Sequence, residues 1–126
     1  MTVLYKVSPI KSHFDPSQKP KYIARPCKRN IIDTDEMSRI IADRSTLSRA
    51  DIAATLYAFE ELIPELLLGN YSLHLKPLGI FSLSFKSKAE DDAEKVNAGS
   101  ITGIKLQFRP DAKLKMELKK AKVGKG

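Results

Sequence analysis

The side chains that could carry reaction chemistry are few in this sequence. The only cysteine, Cys27, is followed by Lys28 and Arg29, and neighbouring positive charges are one of the features that activate a thiol nucleophile. No histidine lies near it in the sequence to act as a base. A single cysteine also cannot form an intramolecular disulfide, which fits a reducing cytosol. An enzyme built on this thiol is therefore not expected.

The remaining polar candidates fit surface positions better than catalytic or metal-binding ones. His74 lies on the polar face of a predicted strand, and His13 lies in a predicted loop. The acidic residues 90–92 offer oxygen ligands but lack the spacing and the glycine of an EF-hand loop. No glycine-rich phosphate loop, His-Glu-x-x-His motif or cysteine pair is present. We predict no catalytic residues, no metal and no cofactor.

Composition indicates a globular protein with an affinity for polyanions. The 126 residues are 42% hydrophobic and 29% charged, enough for one domain and a short extension. The 22 basic and 15 acidic residues give a net charge of +7, which favours nucleic acid or an anionic membrane surface as a partner. No apolar run approaches the ~20 residues of a membrane span, and no signal peptide is recognisable. We expect a cytoplasmic protein.

Positive charge is concentrated towards both ends of the chain. Residues 1–32 and 98–126 each carry a net charge of +6, whereas residues 33–69 carry −5 and residues 89–97 carry −3. If the two ends meet in space, they form a basic face. The alternative is an ordinary solvated surface with a mobile tail.

The first third of the chain predicts an extended segment followed by a helix. Residues 1–32 contain four of the seven prolines, which exclude a long helix, and residues 2–7 and 21–25 predict two short strands. A first helix is expected from Asp33 or Thr34 to about Arg44, because a capping residue precedes acids and then apolar residues at helical spacing.

A second, longer helix follows. Ser48 begins a capping box, so the helix starts at Arg49, and Gly69 is expected to supply a left-handed C-terminal cap. Pro64 lies inside the helix and predicts a bend. Apolar residues cover more of its circumference than one small sheet can bury, which implies a partner surface.

The last part of the chain predicts a sheet and a short helix. Alternating apolar residues indicate strands at 71–75 and 80–86 joined by a tight turn, with Phe81, Leu83 and Phe85 facing inward, and a third strand at 101–108. Residues 87–99 form a polar connection. Pro110 is expected in the first turn of a C-terminal helix, and a frayed basic tail begins at Ala121.

This order of elements resembles the HU/integration host factor family of bacterial histone-like proteins over about residues 33–120. The similarity lies in Thr46-Leu47-Ser48-Arg49-Ala50-Asp51, in Gly69 after a 20-residue helix, and in Phe108-Arg109-Pro110 before the last helix. The hairpin Pro77-Leu78-Gly79-Ile80-Phe81 is similar to the family's Gly-Phe-Gly-x-Phe, with the first glycine and first phenylalanine replaced. The extension resembles that of a longer HU-like subgroup.

The resemblance implies an α+β fold: a helical hairpin, a three-stranded antiparallel sheet with a β-arm, and a short C-terminal helix, assembled as an intertwined homodimer. It divides the chain into an extension (1–32), an HU-like DNA-binding domain (33–120) and a flexible tail (121–126). The dimer interface is expected near Phe59, Ile63, Leu66 and Phe81. The DNA-binding residues are expected to be Lys86, Lys88, Lys105, Arg109, Lys113 and Lys115.

The implied function is non-enzymatic, largely sequence-independent binding of double-stranded DNA in the nucleoid, with DNA condensation. Family arms are rich in arginine and lysine and carry a proline that wedges between base steps. The corresponding residues 87–99 contain no proline, no arginine and four acids. Strong bending is therefore not expected. The alternative is a dimeric interaction or structural module of HU-like fold with weak or lost DNA binding, whose acidic arm engages a protein partner.

Overall fold

The computed structural model describes residues 1–10 and 19–126 of the chain. The predicted loop around His13 lies outside these residues. The described residues form an α+β architecture, as predicted, with three α-helices and two three-stranded sheets. The elements in chain order are β1 (Thr2–Ile10), β2 (Lys21–Pro26), α1 (Thr34–Asp43), α2 (Arg49–Leu68), β3 (Leu73–Leu75), β4 (Gly79–Ser87), β5 (Ile101–Pro110), α3 (Ala112–Lys119) and β6 (Lys122–Lys125).

The chain divides into two compact units. The first, here called the terminal unit, combines Met1–Ile31 with Glu117–Gly126, and the second, here called the body, is Ile32–Met116. The body contains α1, α2 and the sheet β3-β4-β5, and the terminal unit contains the sheet β2-β1-β6.

Helix α1 forms where the sequence predicts it. The Asp33 side chain accepts a hydrogen bond of 2.9 Å from the Glu36 N–H, which satisfies one of the free donors at the helix start. Two side-chain hydrogen bonds join α1 to α2, from Thr34 Oγ1 to Glu60 Oε1 (2.6 Å) and from the Tyr57 hydroxyl to Asp35 Oδ1 (3.1 Å). The second of these raises the pKa of Tyr57. The helical hairpin is thus fastened by polar contacts as well as by packing.

Helix α2 begins as predicted, but its C-terminal cap differs. Ser48 caps the helix by accepting from the Asp51 N–H at 3.1 Å. Gly69 has φ of −80° and continues the helical bonding, and Asn70 is the residue with positive φ (71°). The prediction of a left-handed Gly69 is therefore wrong by one residue. Asparagine is among the few side chains that tolerate this conformation, and the Tyr71 N–H then closes the end on the Leu66 carbonyl at 3.1 Å.

The body sheet is antiparallel in the order β3-β4-β5. Its register places Leu73, Phe81 and Phe108 side by side on one face, with the Phe81 and Phe108 ring centroids 4.8 Å apart. Leu83 pairs with Leu106 and Phe85 with Ile104 on the same face, as the alternation predicts. Phe85, expected to face inward, is nevertheless 63% exposed in the single chain. One face of the sheet is therefore apolar along its whole length.

Pro110 ends β5, and the prediction that it begins the last helix is wrong. Pro110 pairs with Gly79 in the β-ladder, and the Asp111 N–H bonds to the Leu78 carbonyl at 2.8 Å. The Asp111 carbonyl then accepts from the Lys115 N–H at 3.0 Å, so α3 starts at Ala112. A proline at the end of an edge strand costs no ladder hydrogen bond.

The terminal unit contains a strand that the sequence did not indicate. β1 pairs antiparallel with β2 on one side and parallel with β6 on the other. The frayed tail expected from Ala121 is wrong for Lys122–Lys125, and the Gly126 N–H extends the pairing to the Tyr5 carbonyl at 2.9 Å. The reason is that β1 leaves one edge of backbone donors and acceptors free, and the chain end satisfies them.

Few apolar side chains are covered in the single chain. Among the described residues, Ile52 and Leu67 are the buried apolar ones, and large apolar side chains of α2 and of the body sheet remain exposed. Exposed apolar surface on this scale is characteristic of a site where another chain packs.

Candidate nucleic-acid interface

The second face of the body sheet is polar and basic. The residues on β4 that alternate with its apolar stripe pair with their counterparts on β5 as Ile80 with Arg109, Ser82 with Gln107, Ser84 with Lys105 and Lys86 with Gly103. Lys86, Lys105 and Arg109 therefore lie on one face. No aspartate or glutamate occurs within the described strands β3, β4 and β5. This face presents three cations with no acid among them.

Arg109 and Lys115 line a common groove. This open groove, of about 620 Å³, is also lined by Ser72, Ser82 and Gln107. Lys115 comes from the first turns of α3, which the Pro110 and Asp111 backbone contacts place directly after β5. The fold thus brings a helix cation beside the cations of the sheet.

Lys88 and Lys113 lie apart from this group. Lys88 follows β4, and its Nζ is 3.7 Å from Glu90 Oε1, so its charge is partly balanced. Lys113 is two residues before Lys115 on α3, and two residues correspond to about 200° of rotation around a helix. The two lysines therefore point to different sides of α3. Of the six predicted DNA-binding residues, the structure brings four together.

Three neutral residues on this face were not predicted. Ser82, Ser84 and Gln107 lie between the cations on β4 and β5, and hydroxyl and amide groups commonly donate hydrogen bonds to phosphate oxygens. The predicted set of DNA-binding residues was chosen by charge alone and therefore did not include them. Their strict alternation with Phe81, Leu83 and Leu106 was the signal that could have found them.

The acidic connection between β4 and β5 is compact. The ladder ends at Ser87 and Ile101, and residues beyond it form two short 3-10 turns, Ala93–Lys95 and Ala98–Ser100. The Lys88 N–H bonds to the Ser100 carbonyl at 2.9 Å and closes the segment. Ser100 is buried, with its Oγ 3.4 Å from Glu90 Oε1. The resemblance implies a β-arm at this point, and the described residues form a folded acidic loop.

The predicted dimer-interface residues border apolar surface. Phe59, Ile63 and Leu66 line a groove of about 200 Å³ between α2 and β3, together with Leu73 and Leu75. Phe81 is half-buried on the apolar face of the sheet. The structure therefore places three of the four residues at one open apolar groove.

Other chemistry has no visible site in the part of the chain that the structure describes. No group of three or more histidine, cysteine, aspartate or glutamate side chains is arranged to hold a metal there, and none of the helices described is long and apolar enough to cross a membrane. His74 Nε2 lies 2.7 Å from Asp111 Oδ2 and ties β3 to the start of α3. That contact gives His74 a structural place.

Comparison with known proteins gives a family and a fold. The family model described as "HU domain fused to wHTH, Ig, or Glycine-rich motif" matches residues 1–125. A crystal structure of a candidate bacterial DNA-binding protein from Bacteroides vulgatus is similar, with a TM-score of 0.64 and 17% sequence identity. The similarity covers 99% of this chain and 49% of that one, so this chain spans about half the length of its structural relative. No curated protein matches.

These findings confirm the resemblance drawn from the sequence. The family match covers both the body and the terminal unit, and the structural match shows that the α+β architecture is shared. The chain belongs to the HU-HIG family, in which an HU domain is fused to other domains.

Proposed function

We propose that this protein binds double-stranded DNA through the polar face of its body sheet, largely without regard to sequence and without catalysing a reaction. The observation that carries the proposal is the placement of Lys86, Lys105 and Arg109 on one face of a sheet whose described strands contain no acid. Family membership and the DNA-binding description of the structural relative support it. In a bacterium the site of action would be the nucleoid.

Contacts of this kind act on the DNA backbone. Lysine and arginine neutralise phosphates and release condensed counterions, and serine and glutamine add hydrogen bonds that fix position without reading bases. A face made mainly of these residue types is suited to any duplex sequence. Its affinity should fall steeply with salt.

A homodimer is part of the proposal. Two copies packed through the groove of Phe59, Ile63 and Leu66 would cover apolar surface that the single chain leaves open. They would also present two polar sheet faces to one duplex. The number of phosphates contacted would then double, and log affinity would depend on salt with twice the slope.

The first test neutralises the predicted cations. Replacing Lys105, Arg109 and Lys115 by glutamine should lower affinity about equally for all duplex sequences and reduce the log–log salt slope by about 3 per protomer. The slope is measured by fluorescence anisotropy with a random duplex between roughly 50 and 200 mM salt.

The matched control removes three other body cations, in Arg44→Gln/Arg49→Gln/Lys76→Gln. These lie at the ends of the helices and in the turn before β4. Because the net charge changes equally, an equal loss in both variants would indicate a general charge effect and would contradict the site. Absence of duplex binding by the unmodified protein at low salt would refute the proposed function itself.

A second test concerns the acidic loop. Asp91, Asp92 and Glu94 are exposed, and their charges raise the electrostatic cost of approaching phosphates. Their replacement by asparagine or glutamine should tighten binding, most clearly at low salt, where screening is weakest. Glu90 is left unchanged because it contacts Ser100. Titration of the variant and the unmodified protein against the same duplex measures the difference.

The same experiment separates the two candidate functions. The compact, hydrogen-bonded form of the acidic loop is what favours a protein-interaction module. If neutralising the acids weakens DNA binding, the acidic loop supports binding instead of opposing it, and this result would favour the protein-interaction module.

Because the loop has no wedge proline, the unmodified protein should bend DNA little. A large change in the end-to-end distance of the duplex, measured by fluorescence energy transfer, would contradict this prediction.

A further inference from the structure

The positive charge of the chain is located in the terminal unit. Met1–Ile31 and Glu117–Gly126 together carry eleven basic and two acidic residues, a net charge of +9. The body carries eleven basic and thirteen acidic residues, a net charge of −2. The HU-like body therefore has a basic face but no basic excess, and the whole excess lies in a unit outside it.

The sheet of the terminal unit sorts its side chains into two different faces. On one face, Val3 pairs with Val123, Val7 with Ala24 and Pro9 with Tyr22, so this face is mainly apolar. On the other face, Lys6 pairs with Arg25, Ile10 with Lys21 and Thr2 with Lys122, and the pairs Ser8 with Ile23 and Leu4 with Gly124 lie between them. We call this second surface the basic face; its cations are Lys6, Lys21, Arg25 and Lys122. All three strands contribute to it.

The pairing of Lys6 with Arg25 has an electrostatic cost. The Cβ atoms of directly opposed residues on neighbouring strands lie about 5 Å apart, and two like charges in that arrangement are destabilising. Within the described part of the terminal unit the one acid is Glu117, and its contact is with Lys120 at 4.0 Å. No ion pair involves the four cations of the basic face among the described residues. A polyanion would relieve this repulsion.

The positive surface continues beyond the strands. Lys28 and Arg29 follow β2 and line an open groove of about 350 Å³ with Thr2 and Leu4. Lys21 and Arg25 are four residues apart on β2, which corresponds to about 13 Å. A duplex carries one charge per ~1.7 Å of its axis, so a surface of this length faces several phosphates at once.

We propose that the basic face of the terminal sheet is a second DNA-binding surface, which contacts duplex phosphates in addition to the polar face of the body. Lysines, an arginine and Thr2 supply the contacts, so recognition is of the backbone and not of base sequence. The inference rests on the proposed function, because it assumes that duplex DNA is the ligand. It assigns to the terminal unit a contribution to affinity that the net charge of the body does not provide.

The test is the full chain carrying Lys6→Gln/Lys21→Gln/Arg25→Gln/Lys122→Gln. The log–log salt slope for a random duplex should decrease by about 3 to 4 per protomer. The matched control is Lys19→Gln/Lys119→Gln/Lys120→Gln/Lys125→Gln, which removes four positive charges from the same unit outside the basic face. The control should change the slope by no more than about 1, which corresponds to one phosphate contact.

A second measurement tests the same face by thermal unfolding with and without DNA. Because Lys6 and Arg25 repel each other, Lys6→Gln should leave the thermal midpoint of the free protein unchanged or raise it, and added DNA should raise the midpoint of this variant less than that of the unmodified protein. Far-UV circular dichroism establishes that each variant is folded.

The outcomes are distinguishable from those of the body variant. If the unmodified protein binds DNA and only the body variant loses affinity, the basic face has no such role and this inference is overturned, while the proposed function stands. Equal loss in the basic-face variant and its control would also overturn it. If the unmodified protein does not bind DNA, the proposed function fails first.

Discussion

Replacing Gly79 by alanine is expected to lower the free energy of unfolding by about 3 kcal/mol, since forcing extra atoms into a closely packed site displaces its neighbours. Gly79 is buried at the start of β4, opposite Pro110. A Cβ there would overlap the backbone carbonyl of Arg109 and lie 2.7 Å from the Phe108 ring. Backbone cannot move aside as a flexible side chain can, so β4 and β5 would have to separate. Urea unfolding followed by circular dichroism measures the loss.

Gly103 provides the matched control, because it belongs to the same ladder and pairs with Lys86. No atom lies within 4 Å of a Cβ built there, so Gly103→Ala should be neutral or stabilise by up to about 1 kcal/mol through the unfolded chain. Equal midpoints for the two variants would contradict the packing seen at Gly79. Since Arg109 provides one of the proposed phosphate contacts, Gly79→Ala should also weaken DNA binding, whereas Gly103→Ala should not.

Truncating Phe59 to alanine should cost about 3 to 5 kcal/mol per protomer if a second copy buries it. In the single chain this side chain is 41% exposed and borders the groove between α2 and β3, where its loss would cost clearly less. The size of the effect therefore reports on the homodimer. Because a dimer is stabilised by mass action, the urea midpoint should also rise with protein concentration. Denaturation at two concentrations, together with sedimentation equilibrium, measures both.

Leu78→Ala is the control for this prediction. Leu78 is also apolar and half-exposed, at 51%, but it lies in the turn before β4 and away from the groove. Its truncation should change stability by no more than about 0.5 kcal/mol. A stable, folded monomer at micromolar concentration, with a small effect of Phe59→Ala, would show that the open apolar face is not covered by a second copy.

The helices and strands of the body follow from short-range signals in the sequence. The Asp33 and Ser48 caps mark the starts of α1 and α2, because a side-chain oxygen at such a position accepts a helix N–H that has no other partner. The alternation around Phe81 and Leu106 predicts both β4 and β5 and separates their two faces. These signals depend on neighbours within a few residues, and for that reason they can be read without a fold.

Two of the predictions that failed concern choices among partners distant in the chain. Pro110 ends a strand because Gly79 pairs with it, and Lys122–Lys125 forms β6 because β1 offers a free edge. Neither partner is near in sequence. Local strand propensity is low for a short segment rich in glycine and lysine, so such a segment is predicted to be a disordered tail. An unpaired strand edge nevertheless forms backbone hydrogen bonds with any segment that the fold brings next to it.

Composition by itself determined that the chain is basic, and the order of its elements indicated the family and with it an α+β fold. Which cations of different strands share a face was decided by tertiary structure alone. Strand register places Lys86 of β4 on the same face as Lys105 and Arg109 of β5, and it places Lys6 opposite Arg25 on the other sheet. The physical reason is that a charge count adds residues along the chain, whereas phosphate contact depends on which side chains share a face, and pairing between distant strands determines that.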